Sequence, residues 1–542
     1  MQLHPFTGMN VWDLVRTREA VRRDRPALVW HPYQGEGATW SYTALLRDAA
    51  SVAAGLRHRG VRAGDRVLIH LENCPEFVIS WLACAAVGAV AVTTNSRSAP
   101  DEIGYFADHC GAVGAITQPR LAGAVAAGAT GLRWIVSTDH DGGVPAVRDR
   151  APDAASSFDS LRRDPNGLVP APSDPMAPMS VQYTSGTTSR PKGVLWTHAN
   201  ALWGARVNAA HEDLHPDDCH LVYGPLFHTN ALAYSVLASL WVGARFVLVP
   251  KWSTSRFWDV SIRHDCTWLS LMAASIHTLA GGPPPQGSPY RMFGCGIGDM
   301  PHDAVYGTKT IGWFGSTETI SHPIVGDPFT PNRPMSMGRP APEYGVAVVR
   351  EDGVTSAEPE ETGHLLIHGR RGLSLFQEYL HDPGATADAF DERGWFRTGD
   401  LVVAHADGHL SFVDRAKDVL RVGGENVAAS EVERVILQVP GVTEAAVVGR
   451  PDDRLDEVPV AFVVSTDAPP GLAERVVATC AEKLADFKVP RAVFTVRDLP
   501  RSTVRKVNKV ELRRLVGEDA DRAAAERGWL RATELDPSGD AS

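Results

Sequence analysis

Five consecutive hydroxyl or glycine positions, Thr184, Ser185, Gly186, Thr187 and Thr188, precede a cation at Lys192 within Tyr183-Thr-Ser-Gly-Thr-Thr-Ser-Arg-Pro-Lys-Gly193. Gly186 lets backbone N–H groups turn toward an anion, the hydroxyls donate hydrogen bonds, and Lys192 adds charge. Such a loop suits the β- and γ-phosphates of ATP. It is not a Walker A loop, which ends in Gly-Lys-Ser/Thr after a four-residue spacer. A Ser/Thr-rich surface turn is the bland alternative, and the Pro-Lys-Gly ending argues against it.

Other residues could do chemistry but say little in isolation. Glu318 follows Phe314-Gly315-Ser316-Thr317, and a lone Glu after Thr is usually just solvated. An aromatic residue before glycine, as at Phe314, is more often core than ligand contact. Asp400, in Trp395-Phe-Arg-Thr-Gly-Asp400-Leu, could accept two hydrogen bonds from ribose hydroxyls, as an acid does in dinucleotide-binding folds. Alone it reads as an acid in a turn. Lys506 would by default be a surface lysine.

Elements that could position these groups alternate through the first four hundred residues. Residues 44–59 read as an amphipathic helix, 66–71 as a strand, 106–110 as a helix end and 112–117 as a second strand. That alternation implies parallel sheets covered by helices. Residues 77–92 are apolar throughout, yet too short to span a membrane. Gly88 should divide them into a buried helix and a buried strand. Residues 151–178 and 283–289 read as loops. From about Thr355 the texture changes to short strands and hairpins, at 364–368 and 409–413. A boundary is expected near residues 414–418. Strands at 442–448 and 458–464 and a helix over 471–484 follow, and the tail beyond Trp529 should be disordered.

Composition excludes several classes. The chain has 542 residues, too many for one core, so at least two domains are expected. A net charge of −11 and a pI near 6.0 argue against nucleic-acid binding, which needs clustered Lys and Arg. The seven cysteines show neither CxxC pairs nor zinc spacing, which suits reduced thiols. Residues 1–10 lack the pattern of a signal peptide. A soluble cytoplasmic protein without a membrane span is the expectation.

Taken in order, the motifs resemble the adenylate-forming superfamily of acyl-CoA synthetases, adenylation domains and firefly luciferases. Gly224-Pro-Leu-Phe-His228-Thr-Asn230 looks like the motif beside the reacting carboxylate, and Phe314 to Glu318 looks like YGxTE. The segment around Asp400 matches the ribose motif. Phe412-Val-Asp-Arg415-Ala-Lys417-Asp418 and Gly423-Gly424-Glu-Asn-Val resemble the hinge and the loop after it. Lys506, in Leu499-Pro-Arg-Ser-Thr-Val-Arg-Lys506, stands where the family keeps its catalytic lysine. The resemblance spans about residues 40–513.

It implies an α/β fold. A large N-terminal domain, residues 1–415, would hold parallel and mixed sheets with helices and a small distorted barrel. A small mobile α+β domain, 416–530, would carry Lys506, and 531–542 would be a disordered tail. It implies ATP, Mg²⁺ and coenzyme A. Lys506, His228, Thr317 and Glu318 would be catalytic, with Glu318 linked to the metal. ATP or AMP would meet the 184–188 loop, Lys192, Gly294, Cys295, Gly296, Trp313, Phe314, Gly315, Ser316, Thr317, Asp400 and Arg415. Lys417 would be the hinge, and Gly423 and Gly424 would line a pantetheine tunnel. His228, Asn230, Met292, Phe293, Gly294, Cys295, Gly296 and residues 320–323, beginning with Ile320, would wall the acyl pocket.

The chemistry is coherent with that resemblance. A carboxylate is a poor acylating agent, and attack on the α-phosphate of ATP converts it to an acyl-adenylate with AMP as a good leaving group. Bringing two anions together requires positive charge and a metal. The sequence departs from the family at three points. Phe314 replaces the usual Tyr and keeps the aromatic face. His364 replaces a Glu in a strand read as structural. Arg505 replaces the Gly before Lys506, so Arg505 and Lys509 are nearby cations that could compete for its role.

No Asp follows Phe227 to neutralise an α-ammonium, so α-amino acids are disfavoured. Residues 183–200 look closest to carnitine- or crotonobetaine-CoA ligases and medium- or long-chain fatty acyl-CoA synthetases. Polar-headed, alicyclic and polycyclic acids stay open. Coenzyme A and an acyl carrier protein share the pantetheine arm, so both stay open as acceptor. A non-catalytic nucleotide-binding relative and a luciferase-like oxygenase are the remaining alternatives.

Overall fold

A computed structural model describes the chain except residues 1–3, 143, 146–154, 185–190, 273–274, 276–287, 423–424, 453–454, 466–470, 485, 502–506, 517–529 and 535–542. The helix Tyr42–His58 starts where the Ser41 side chain accepts from the Ala44 N–H, and buries Leu45, Ala49, Val52 and Leu56 at helical spacing. The apolar run divides at Gly88, as expected. Helix Pro75–Val87 ends on Gly88 at φ 75°, and the fully buried strand Val90–Thr93 follows.

Among the described residues, two large sheets dominate. In one, Pro26–Trp30, Arg245–Leu248, Cys219–Val222, Trp268–Ser270, Met292–Cys295 and Lys309–Phe314 run parallel as neighbours, with antiparallel strands at its edges. In the other, Ala155–Ser157, Ile135–Ser137, Ala112–Thr117, Arg66–His70, Val90–Thr93 and Pro178–Thr184 are parallel. Lys192–Thr197 and Glu378–Tyr379 then close that edge antiparallel. The mainly parallel cores require cover on both faces, which the helices supply.

Gly345–Val349, Thr362–His368, Trp395–Ala404 and Leu410–Arg415 form a four-stranded antiparallel sheet in the stretch expected to hold the small distorted barrel. His364 lies within it, paired with Val349 and Leu401. Beyond Arg415 the strands join a separate sheet, and buried clusters drawn wholly from residues 420–516 form its core.

Two expectations need correction. The stretch 151–178 is not wholly loop: Ala155–Ser157 adds an edge strand, and the short helical turn Phe158–Leu161 buries both end residues. Order also extends past residue 530, because Leu530–Glu534 pairs antiparallel with Ala492–Val496. Long-range pairing supplies the order there, and neither segment carries a strong local pattern. No helix among the described residues is long and apolar enough to cross a membrane.

Candidate active site

The strands Pro178–Thr184 and Lys192–Thr197 pair antiparallel with Thr184 opposite Lys192, so the hydroxyl-rich connection leaves and re-enters the sheet at one point. Ser185, Gly186, Thr187 and Thr188 lie outside the described residues. The Lys192 ammonium stands over the ring of Tyr379, 4.7 Å from its centroid. The hydroxyl of that tyrosine donates to Glu318 Oε1 at 3.0 Å. Lys192 and Glu318, far apart in sequence, therefore converge on one aromatic side chain. Burial, then the Glu318 charge, pushes the Tyr379 phenol well above its ordinary pKa, so it remains a neutral donor.

Glu318 sits in a tight turn. Ser316 N–H donates to Thr319 Oγ1 at 2.9 Å, Thr319 N–H returns to Ser316 Oγ at 3.3 Å, and Trp196 Nε1 donates to the Thr317 carbonyl at 2.9 Å. Ile320 closes the turn fully buried at φ 62°. A β-branched residue is costly in that region, so strain is held beside the carboxylate. Gly315 admits the Tyr234 hydroxyl, which would lie 2.2 Å from a Cβ there.

Asp400 is 2% exposed and faces Arg415 across the strand pair, with Arg415 Nε 2.8 Å from Asp400 Oδ1. Arg415 Nη1 also donates to the Thr398 carbonyl at 3.1 Å, which fixes the guanidinium. Lys417 lies in the turn Ala416–Asp418, and its side chain is outside the described residues. Around that turn, Ser430 N–H donates to Asp414 Oδ2 at 3.1 Å, and Arg513 pairs with Asp418 at 2.7 Å. Gly423 and Gly424 are also outside the described residues, and the strands on either side of them pair antiparallel, Val422 with Glu425. Lys506 and Arg505 are outside them as well. Lys509 forms an ion pair with Glu433 at 2.8 Å, which engages the cation that could compete for the catalytic role.

His228 is half-buried ahead of an unusual element, the π-helix Asn230–Leu237, a conformation often found at functional sites. Asn230 Oδ1 accepts from Ser270 Oγ at 2.9 Å, and Thr229 donates to Gln182 Oε1 at 2.9 Å. The expected pocket residues on the strand Met292–Cys295 separate by face. Met292 joins the main core beside Trp268 and Trp313, whereas Phe293 and Cys295 join a second cluster with Tyr223 and Tyr290. Strand alternation separates neighbours in this way. Gly294 is required by packing, since a Cβ there would lie 1.9 Å from the Trp313 ring. Gly296 is exposed. Phe314 is 9% exposed, so most of its ring surface serves the core.

Sequence reasoning missed Tyr379, Tyr234, Glu212 and His220, and it did not foresee that Trp313 and His322, expected at the nucleotide and the acid, would join Trp268 in an aromatic column. Trp313 stacks on His322 with centroids 4.4 Å apart and planes at 7°, and on Trp268 at 6.2 Å and 11°. His220 lies beside Trp268, and Glu212 is 3.9 Å from His220 Nδ1. Both carboxylate oxygens of Glu212 and both ring nitrogens of His220 and His322 are buried without a hydrogen-bond partner among the described residues. Burial, with Asp218 second, raises Glu212 well above the carboxylate range. Burial lowers His220 to about 3, and burial reinforced by His211 lowers His322. Burial thus favours the neutral form of all three. Nothing in the sequence marks Glu212 and His220, because helix end and strand meet only in the fold.

The donor set fits a nucleotide-bound magnesium ion. Among the described residues no cluster of three or more acidic, His or Cys side chains could hold a metal unaided. Magnesium commonly binds one or two protein carboxylates, with phosphates and water completing the shell, and Glu318 beside Lys192 is suited to that arrangement.

The model of AMP-binding enzymes matches residues 15–380, and that of the AMP-binding enzyme C-terminal domain matches 431–506. A crotonobetaine/carnitine–CoA ligase of Proteus mirabilis is 31% identical over 517 residues, covering 90% of this chain and 96% of the relative. One from Escherichia coli O139:H28 is 33% identical over 506 residues with the same coverages. Among solved structures, the anthranilate CoA ligase AuaEII with anthranoyl-AMP superposes with a TM-score of 0.83 at 24% identity, covering 96% of this chain and 99% of that one. The O-succinylbenzoate coenzyme A synthetase of Bacillus subtilis with ATP and magnesium gives 0.80 at 26%, covering 92% and 98%.

Proposed function

The chain belongs to the AMP-binding enzyme family, and from that premise we propose that it couples a carboxylic acid to AMP, releases pyrophosphate, and passes the acyl group to coenzyme A. The observation that carries this reading is the meeting of Lys192 and Glu318 on Tyr379. It supports a reading in which Lys192 binds phosphate and Glu318 binds the metal ion that accompanies it.

Lys192 and the hydroxyls of the 184–188 loop hold the β- and γ-phosphates. Asp400 accepts from the ribose hydroxyls, and Arg415, bonded to it, reaches the same sugar. Magnesium, when bound, neutralises phosphate charge. His228 and the segment after it lie beside the acid, whose carboxylate oxygen attacks the α-phosphorus as the bond to pyrophosphate breaks. Lys506 approaches the negative charge that develops there. Residues 416–530 act as a moving domain about Lys417, which withdraws Lys506 and presents Gly423 and Gly424 to the pantetheine arm. The thiol then attacks the acyl carbon and AMP leaves.

Relatives that act on crotonobetaine and carnitine favour a small acid with a polar head and favour coenzyme A as acceptor. An acyl carrier protein is the second acceptor to test. The experiment is acid-dependent pyrophosphate release with ATP and Mg²⁺ across carnitine-like, fatty, aromatic and alicyclic acids, without thiol and then with coenzyme A or carrier protein. One acid that stimulates release, with further acceleration by coenzyme A, is the expected result. ATP binding without release for any acid would overturn the reading.

A further inference from the structure

Tyr379 is joined to both charged groups of the ATP site, and its place is set by elements other than theirs. In the pairing of Lys192–Thr197 with Glu378–Tyr379, Val194 lies opposite Tyr379. Lys192 is two residues from Val194 on the same strand, so it shares that face and sits diagonally from the tyrosine. The Phe376 N–H donates to the Glu318 carbonyl at 2.8 Å, which ties the carboxylate's turn to the segment bearing Tyr379. Tyr379 is itself held by its N–H to Thr386 Oγ1 at 3.0 Å and by the Phe376 ring, with centroids 4.7 Å apart. The ring is 8% exposed and its setting is tightly determined.

Opposite charges so close together would ordinarily pair, and a lysine bonded to the carboxylate would remove both from nucleotide binding. Among the described residues no ion pair joins Lys192 to Glu318. The ammonium instead rests on the aromatic face. The phenol occupies one carboxylate oxygen, Oε1, and fixes the group's orientation.

We infer that Tyr379 is a positioning residue for adenylate formation, a spacer whose ring parks the phosphate-binding lysine and whose hydroxyl aims the metal-binding carboxylate. It touches neither substrate nor metal and acts through Lys192 and Glu318. The inference rests on the roles proposed above for those two residues.

The two halves of Tyr379 are separable. Tyr379→Phe keeps the ring and its packing on Phe376 and loses the hydroxyl, whereas Tyr379→Leu loses both. Acid-dependent ATP–pyrophosphate exchange is measured while Mg²⁺ and ATP are varied independently, with Glu318→Gln and Lys192→Ala alongside. For Tyr379→Phe the Mg²⁺ concentration for half-maximal rate rises roughly 10-fold, as for loss of a group that orients a metal ligand, while KM for ATP and for the acid stays near wild type. For Tyr379→Leu KM for ATP also rises, by roughly 5-fold, as expected when a cation–π contact is lost. A merely structural tyrosine would not divide its effects between metal and nucleotide in this way. A Tyr379→Phe enzyme with the wild-type Mg²⁺ profile, beside a Glu318→Gln enzyme that has lost it, overturns the inference and leaves the ATP site standing. Wild-type profiles in Glu318→Gln and Lys192→Ala overturn the site itself. The result for Tyr379→Phe decides even where Leu disturbs folding.

Discussion

Arg415 Nε lies 2.8 Å from Asp400 Oδ1, and the two residues are directly opposite in an antiparallel pair that ends at the boundary between the two sets of sheets. The carboxylate is buried and the guanidinium is 42% exposed, so the arginine both satisfies the acid and reaches toward solvent. Removing Arg415 strips a charged hydrogen bond from a buried acid. Arg415→Ala should raise KM for ATP roughly 10- to 100-fold, as for loss of a hydrogen bond to a charged group, with a smaller change in KM for the acid. Steady-state kinetics with each substrate varied in turn checks this. An unchanged KM for ATP would remove Arg415 from the nucleotide site.

Lys509 is already bonded to Glu433, so the cations to test are Lys506, first by its place in the family motif, and Arg505. Lys506→Ala should slow acid-dependent pyrophosphate exchange by roughly 10²–10³-fold, the scale of a lost group that stabilises developing charge. Transfer of the acyl group from added acyl-adenylate to coenzyme A should be largely retained. Lys509→Ala should affect exchange far less. Equal losses in the two variants would show that the assignment by sequence position is wrong.

Trp313 is clamped between His322 and Trp268, and its ring passes over Gly294. Gly294→Ala would place a methyl group 1.9 Å from that ring, so the column must shift. The expected cost is about 1–3 kcal/mol, typical of an overpacked core, read from the urea midpoint at constant slope. The acid preference measured across the panel should change with it. A variant with unaltered midpoint would contradict the packing described here.

The buried Glu212, His220 and His322 set opposite pH dependences. Glu212 ionises near 4.5 when unfolded and well above that when folded. The unfolded chain therefore holds fewer protons than the native one above about pH 4.5, and stability falls as pH rises. The histidines titrate near 6.5 when unfolded, and His220 near 3 when folded. Below about pH 6.5 the unfolded chain holds more protons, and stability falls as pH drops. Between those two limits the effects oppose each other, and above about pH 6.5 the two histidines no longer contribute a slope. In urea unfolding at rising pH, from about 4.5 upward, the wild type should lose more stability than Glu212→Gln. A decline of equal slope in both proteins would mean that Glu212 is ionised in the fold.

The division at Gly88 was legible in the amino-acid sequence, as were the motifs around Lys192, Glu318 and Asp400 to which phosphate, metal and ribose roles are proposed. Each is a local matter: a φ that glycine tolerates, a run of donors, or an acid at a strand end. Family membership was equally legible, because these segments recur in order. Tertiary structure alone decided that Tyr379 would stand between Lys192 and Glu318, that Phe293 and Cys295 would face away from Trp313, and that Glu212 would be buried beside His220. It also ordered Leu530–Glu534 as a strand against Ala492–Val496. Those outcomes depend on contacts between elements far apart along the chain. Such contacts leave no period or spacing in the sequence, because they arise only when separate sheets, helix ends and loops pack together.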